Sequence, residues 1–513
     1  MSESGVAPKP TWRSFAAALL VASSGVTYSA MSVWSRNFAQ LTPLRLVQLV
    51  ALEVVLCGGG LAVVAWRGGH LTAWAVTFSL AGLLFGAGDA LAQRVGTSGA
   101  WVLFLVGVAF CAVLLQRVAD THIRSLRVVA LWLSLFLLLQ PIISIVLGRE
   151  VSPARIVASP ALVTTNTGVA EDFLLVVLDG YASIATLRDQ FSFDSPLSNV
   201  LTKEGFEVVD SAWSPSTRTL VSISSLVNLA VPLVTGDGLT GGDVAVLLNM
   251  IRGDGRLFSM FRKAGYEVTY IESGWMGSVC GETVTTCIRR PFVDEAVQAV
   301  VDRSLLSEFA KNRWGHAFAL AGLRALAELE QTLPGLGANG TNDMVFAHVI
   351  LPHDPYVLGS DCQTTGTLVF EAGDAGSHPE TPRAAYLKHV NCVDQWLTRI
   401  AAIVPEGVAV VLTGDHGTLF RGQMSRPPAT WSAEDIAERA QTFLATKLSP
   451  WCANNTSVAG SLEAVMDASA CLLATRMDRA ATETLWLFSE DALPRCITLP
   501  GADLAIVDVP CGP

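Results

Sequence analysis

Three apolar runs in this sequence each end in side chains that can bind a cation. Phe173 to Gly180, FLLVVLDG, delivers Asp179. Gly407 to Gly417, GVAVVLTGDHG, delivers Asp415 and His416, and Met344 to His353, MVFAHVILPH, delivers His353. Such runs read as strands of a parallel α/β sheet, apolar throughout because both faces are covered. Ligands gather beyond the carboxyl ends of strands in these sheets. One strand-ending acid can simply cap the next helix. Three runs that end in oxygen and nitrogen donors predict one shared metal site.

A nucleophile is offered by Ser214-Pro215-Ser216-Thr217-Arg218-Thr219, which follows a strand-like segment, GFEVVDSAW, and precedes a helical one, Leu220 to Ala230. A hydroxyl at a helix start sits where backbone N–H groups and the helix dipole favour an anion. Ser and Thr are also ordinary N-caps, so the position alone does not make a catalyst.

The elements that must place these groups are legible as alternating helices and strands. Ala182–Lys203, Arg303–Leu333, Ala385–Ile403 (with Tyr386 and His389), Ala433–Ala445 and Ser461–Asp478 read as helices. MFRKAGYEVTYI reads as a helix running into a strand, and Thr484–Phe488 and Leu504–Val509 as short strands. The pattern predicts an α/β domain with a mostly parallel central sheet.

The chain has 513 residues, 51% hydrophobic and 15% charged, with a mean hydropathy of +0.45. That composition points to membrane spans. Five apolar stretches are each about long enough to cross a bilayer: Ser14–Ser35, Leu46–Trp66, Leu71–Gln93, Val95–Gln116 and Val128–Gly148. The expected layout is a tail over 1–13, an α-helical bundle of five spans over 14–148, and a linker over 149–170. A catalytic domain over 171–445 and a disulfide-rich C-terminal subdomain over 446–513 follow. Lys9, Arg13, Arg67, Arg117, Arg124 and Arg127 fall on one side of the spans, and Arg36, Arg45, Arg94 and Arg149 on the other. The bias puts the N-terminus inside and everything after Gly148 outside the cell membrane. Eight of the ten cysteines follow the spans, as an oxidising compartment would allow. Cys280 and Cys287, close in sequence, form the expected disulfide. Glu53 and Asp89 interrupt spans; they either pair near the interface with Arg45 and Arg94 or meet a lipid headgroup. A net charge of −11 argues against a nucleic-acid partner.

In this order, the LVVLDG strand, Thr219-x-x-Ser222-x-x-Ser225-Leu226, His348-x4-His353-Asp354-Pro355-Tyr356 and the TGDHG loop resemble the membrane-bound, sulfatase-like branch of the alkaline phosphatase superfamily. Lipoteichoic acid synthases and lipid A phosphoethanolamine transferases belong to that branch. The resemblance covers most of 171–445. It implies that Asp179, Asp415 and His416 ligate a metal together with Thr219, the nucleophile. His353 would contact the transferred group as a catalytic residue; His348 and Arg218 are further substrate-binding candidates. Ser216, Thr217 and Ser222 are alternative nucleophiles. Those two transferase groups carry Glu where this chain has Asp179. The formylglycine motif of ordinary sulfatases is absent, since Trp213 and Thr217 stand at the ends of its frame.

Two carboxylates, an imidazole and an alcohol suit one divalent ion, zinc or manganese, with magnesium or calcium as further candidates. Metal coordination activates an alcohol for in-line attack. The expected reaction transfers a phospho-headgroup, of phosphoethanolamine or phosphoglycerol type, from a membrane phospholipid donor to an envelope glycan or lipid acceptor, through a phospho-threonine. The alternatives are hydrolysis of phosphate or sulfate esters at the same site, and a non-catalytic membrane protein that binds envelope polymer.

Overall fold

A computed structural model describes residues 11–36, 43–67, 70–150, 171–232, 239, 241–273, 280–288, 295–338, 340–371, 380–449, 452, 460–475, 484–488, 494–498 and 508–509. Of the expected linker over 149–170, the first two residues end a helix and 151–170 lie outside the described residues, as does most of the N-terminal tail. The chain divides into two compact units, one of residues 1–151 with 293–313, the other of 152–292 with 314–513.

The first unit holds α1 (Trp12–Arg36), α2 (Pro43–Trp66), α3 (Leu71–Gly86), α4 (Gly88–Val95) and α5 (Thr97–Glu150). Four helical stretches are long and apolar enough to span a membrane: Trp12–Ser35, Leu46–Trp66, Thr97–Ala119 and Arg124–Ser144. The last two are parts of α5, which departs from helical geometry at His122. Large apolar side chains of α2 and α5, such as Val55, Leu105 and Trp132, are exposed, as lipid-facing groups would be. The stretch expected as an unbroken third span is instead α3 and α4, bent by 61°. Gly86, Ala87 and Gly88 mark the break, and glycine is a poor helix former. Backbone from farther along the chain satisfies the groups the break frees. Leu305 N–H donates to Phe85 C=O and Asp89 N–H to Arg303 C=O, both at 3.1 Å. Asp89 accepts from Gln93 at 2.8 Å and from Ser307 at 3.2 Å. A short helix, α10 (Glu295–Val301), belongs to this unit too.

The second unit is built on a seven-stranded sheet. Its strands are β1 (Phe173–Asp179), β2 (Glu207–Trp213), β3 (Glu267–Ile271), β4 (Thr286–Ile288), β5 (Asp343–Pro352), β8 (Ala409–Gly414) and β9 (Gln441–Lys447), in the order β2-β9-β8-β1-β5-β3-β4. The five strands from β8 to β4 are mutually parallel. β9 pairs antiparallel with both β8 and β2. Every residue of β1, β5 and β8 is buried, the burial that their unbroken apolar runs anticipate. β6 (Tyr356–Leu358) and β7 (Thr364–Val369) form a hairpin; β10 (Thr484–Leu487), β11 (Arg495–Thr498) and β12 (Asp508–Val509) form a small antiparallel sheet.

Around the large sheet lie α6 (Leu197–Lys203), α7 (Thr219–Asn228), α8 (Gly241–Asn249), α9 (Arg256–Lys263), α12 (Glu380–Ile403), α13 (Ala433–Ala440) and α14 (Ser461–Leu472). α11 (Ser307–Thr332) begins in the first unit. The helix expected over Ala433–Ala445 stops at Ala440, because Gln441 onward pairs as β9 with two neighbouring strands. The helix expected over Ala182–Lys203 is broken into one irregular turn, Thr186–Gln190, and α6. The disulfides Cys280–Cys287, Cys362–Cys392 and Cys452–Cys471 all lie in this unit.

Candidate metal centre

Asp179 is the last residue of β1, and Asp415 and His416 follow directly on β8, which pairs beside it. Parallel pairing with equal register therefore brings the two strand ends together. The ligand atoms of Asp179, Asp415 and His416 lie within 4.8 Å of one another, and all three side chains are buried. The turn after β1 is held by Gly180 at φ +73°, a conformation that favours glycine. Tyr386 fixes the same turn: its hydroxyl donates to Gly180 C=O at 3.1 Å and accepts from Ala182 N–H at 3.0 Å.

The hydrogen bonds leave a pattern. Asp415 Oδ1 accepts from the N–H groups of Gly180 (2.9 Å) and His416 (2.8 Å). Asp415 Oδ2 and Asp179 Oδ1 are buried and accept no hydrogen bond. His416 Nδ1 lies 2.8 Å from Gly417 C=O. A carbonyl only accepts, so Nδ1 carries the proton and Nε2 keeps a lone pair. That nitrogen is 3.3 Å from Asp415 Oδ2 and 3.8 Å from Asp179 Oδ1. Two orphaned carboxylate oxygens and an imidazole lone pair, facing one another away from water, are a donor set for a divalent cation.

The electrostatics agree. Burial, and then the neighbouring Asp179 carboxylate, push Asp415 well above its ordinary pKa. Burial alone would raise Asp179 too, but the imidazoles of His353, His348 and His416 outweigh it and bring it down to about 2. Burial and the Arg439 guanidinium keep His416 neutral by lowering its pKa well below the usual value. Like charges at this spacing repel unless a cation stands between them.

Thr219, the first residue of α7, reaches the same nitrogen: its Oγ1 lies 2.9 Å from His416 Nε2. The other hydroxyls considered turn elsewhere. Ser222 Oγ donates to Asp415 C=O at 2.5 Å. Thr217 Oγ1 accepts from Phe488 N–H at 2.8 Å, and Ser216 Oγ accepts from Arg218 N–H at 3.3 Å. Arg218 is the N-cap of α7, half-buried, and its C=O accepts the first helical hydrogen bond from Ser222 N–H at 2.8 Å. Main-chain bonds from Thr217 N–H to Trp486 C=O (3.1 Å) and from Trp486 N–H to Pro215 C=O (3.2 Å) clamp this loop against β10. The short C-terminal strand thus positions the hydroxyl.

His348, near the end of β5, lies with Nε2 3.6 Å from Asp179 Oδ2. His353 follows β5, is partly exposed, and pairs with Asp354 at 2.9 Å. Desolvation would lower its pKa, but Asp179 and Asp354 outweigh it and raise it well above the usual value. Burial and Asp354 raise Glu371 to about 7. His389, buried on α12, accepts from Val357 N–H and Leu358 N–H, both at 2.9 Å, and so anchors the chain after His353.

Sequence reading did not single out Glu371, Glu438 or Arg439. Glu438 C=O accepts from Thr418 N–H at 3.0 Å, and its Oε1 accepts from Phe420 N–H at 2.7 Å; Arg439 C=O accepts from Gly417 N–H at 2.8 Å. A Cβ on Gly417 would stand 2.1 Å from Glu438 C=O, so glycine is required there. No signal in the sequence marks Glu438 or Arg439, because the stretch Ala433–Ala445 reads as one helix and the strand that follows it appears only through its pairing.

Neither a protein-family model nor a curated protein matches the chain. Solved structures do. The C-terminal periplasmic domain of EptC from Escherichia coli, in complex with zinc, is similar over 66% of this chain and 96% of its own, at 12% identity and a TM-score of 0.41. The integral membrane protein lipooligosaccharide phosphoethanolamine transferase A from Neisseria meningitidis is similar over 86% of this chain and 90% of its own, at 15% identity and a TM-score of 0.35. A 2-O GAG sulfatase is similar over 64% and 81%, at 10% identity and a TM-score of 0.40. Likeness at this level carries no residue role across to this chain.

Proposed function

We propose that this chain is a metal-dependent transferase of the sulfatase-like type. It moves a phospho-headgroup from a membrane phospholipid to an acceptor hydroxyl in the cell envelope, with its second unit outside the membrane. The observation that carries this reading is the meeting of Thr219 with His416 beside two carboxylate oxygens that accept no hydrogen bond. The apolar helices of the first unit support a lipid donor.

Asp179, Asp415, His416 and Thr219 would hold the ion, which supplies a lowered alcohol pKa and charge balance for an in-line displacement. Thr219, having lost its proton to solvent, attacks phosphorus, and the bond from phosphorus to the lipid glycerol oxygen breaks. His353, charged by its acidic neighbours, protonates that departing oxygen. The acceptor hydroxyl then attacks the phospho-threonine, gives its proton to the now neutral His353, and frees Thr219. His348 and Arg218 complete the substrate side of the site. The N-terminal N–H groups of α7 face the added negative charge.

The test is intact-protein mass spectrometry of the full chain with vesicles of phosphatidylethanolamine and phosphatidylglycerol, with and without an acceptor glycolipid. A headgroup-phosphate adduct on Thr219 that is discharged on adding the acceptor is the expected result. Discharge at the same rate in water alone would make the protein a hydrolase. No adduct with any metal would refute the reading.

A further inference from the structure

Arg439 is a buried cation that, among the described residues, has no carboxylate within ion-pair distance. It is 5% exposed, near the end of α13. Its Nε donates to Thr217 C=O at 3.0 Å and its Nη1 to Gly417 C=O at 2.9 Å; its Nη2 lies 3.3 Å from His416 Nε2. Every one of these hydrogen-bond partners is neutral; the carboxylates of Glu371, Asp415, Asp179 and Glu438 attract the guanidinium only through space. A buried charge is costly unless an opposite charge meets it. Arg421 shows the contrast: it reaches Glu438 at 3.2 Å and Glu434 at 2.9 Å from a half-exposed position.

The three contacts place the guanidinium at one point in the site. It ties the loop that carries Thr219 to the loop that carries Asp415 and His416. Its free end and the Thr219 hydroxyl lie against the same ring nitrogen, at 3.3 and 2.9 Å. His416 Nε2 has one lone pair. Once that lone pair serves a cation, it no longer accepts from Arg439, and the Nη2 edge is left beside Thr219. Arginine presents further N–H groups in a planar fork suited to the oxygens of a tetrahedral anion.

From this geometry we infer that Arg439 is a substrate-binding residue, holding the transferred tetrahedral oxyanion beside Thr219 when the metal is bound. The inference rests on the transfer reading above and names the group that takes the anion's charge. The neutral contacts of Nε and Nη1 stay in place and keep the fork aimed; only Nη2 changes partner.

The experiment uses the full chain in detergent, loaded with manganese or zinc, and measures binding of the metal alone and then of inorganic phosphate and orthovanadate. Wild type, Arg439→Met and Arg439→Lys are compared, with thermal melts to establish folding. Arg439→Met is expected to bind metal as tightly as wild type or tighter, because a competing donor to His416 is gone. Phosphate and vanadate should bind about 10–100-fold more weakly, the usual cost of a lost charge-assisted contact. Arg439→Lys keeps the charge without the fork and should recover part of that loss. Equal anion binding by wild type and Arg439→Met overturns the inference alone. Parallel loss of metal and anion in both variants overturns it as well, since Arg439 would then be only a staple between the loops. If metal-loaded wild type binds neither anion, the transfer reading itself fails and takes this inference with it.

Discussion

The serine cluster of the helical unit and the strand ends of the α/β unit bury polar groups in opposite ways. In the helical unit, Ser24 of α1 lies 3.0 Å from Ser79 of α3 and 3.2 Å from Ser134 of α5. Each chain segment also answers its own hydroxyl: Ser24 donates to Val21 C=O at 2.8 Å and Ser134 to Ala130 C=O at 2.7 Å. No hydroxyl of this cluster is left without a partner, although Glu53 Oε2 and Gln116 Nε2 elsewhere in the unit are buried and meet none. In the α/β unit, Asp179 Oδ1 and Asp415 Oδ2 accept no hydrogen bond, and Arg439 hydrogen-bonds only neutral groups. Satisfied hydroxyls between helices make packing. Unsatisfied charges at the ends of strands make a site, at a cost in stability that the bound ion and substrate repay.

The comparison is broken most readily at the nucleophile. Thr219→Ala should abolish transfer, on the order of 10⁴-fold or more, while the purified protein retains its metal by elemental analysis. Activity within tenfold of wild type would end the covalent account. Next in size, Asp415→Asn keeps the oxygen that accepts from Gly180 and His416 and replaces the orphaned one with an amide. Metal affinity should fall by on the order of 10²-fold or more. The metal-free variant should melt about 2–4 °C higher than metal-free wild type, because repulsion with Asp179 is relieved. A lower melting temperature would mean that the carboxylate is structural.

In the packing region the signs reverse. A Cβ on Gly25 would stand 1.9 Å from Ser79 C=O, so Gly25→Ala should destabilise the helical unit by about 1–3 kcal/mol without changing metal content. Ser24→Ala should cost less, about 1 kcal/mol, in a detergent unfolding titration. Either variant losing metal would show that the two behaviours are not separate.

His389 gives the pH arm. Its pKa falls to about 3 through burial, against an ordinary value of 6.5. The folded state therefore binds its proton later than the unfolded chain as pH falls. The stability it contributes is whole above about pH 6.5 and is lost as pH drops from there toward 3. His389→Gln keeps an acceptor for Val357 and Leu358 and should flatten that part of the melting profile. An unchanged slope would locate the acid sensitivity elsewhere.

Much of this was legible in the sequence for a physical reason. β1, β5 and β8 are buried on both faces, so FLLVVLD, DMVFAHVILP and AVVLTG announced themselves, and so did the acids and histidines at or near their ends. The hydroxyl that faces His416 was marked by its place at a helix start. What stayed hidden depends on tertiary pairing. QTFLATK reads as the tail of a helix until β8 and β2 bond to it. The bend after Gly86 depends on backbone from Arg303 and Leu305, more than two hundred residues away. Arg439 carries no motif; its meaning is set by two carbonyls and a ring nitrogen brought from two other segments.

The most direct measurement is anomalous diffraction from crystals of the full chain grown with zinc or manganese. A single strong peak within about 2.0–2.3 Å of oxygens of Asp179 and Asp415 and of His416 Nε2, with Thr219 Oγ1 facing it, is the predicted result. An active protein whose peak lies elsewhere, or that shows none, would contradict the account.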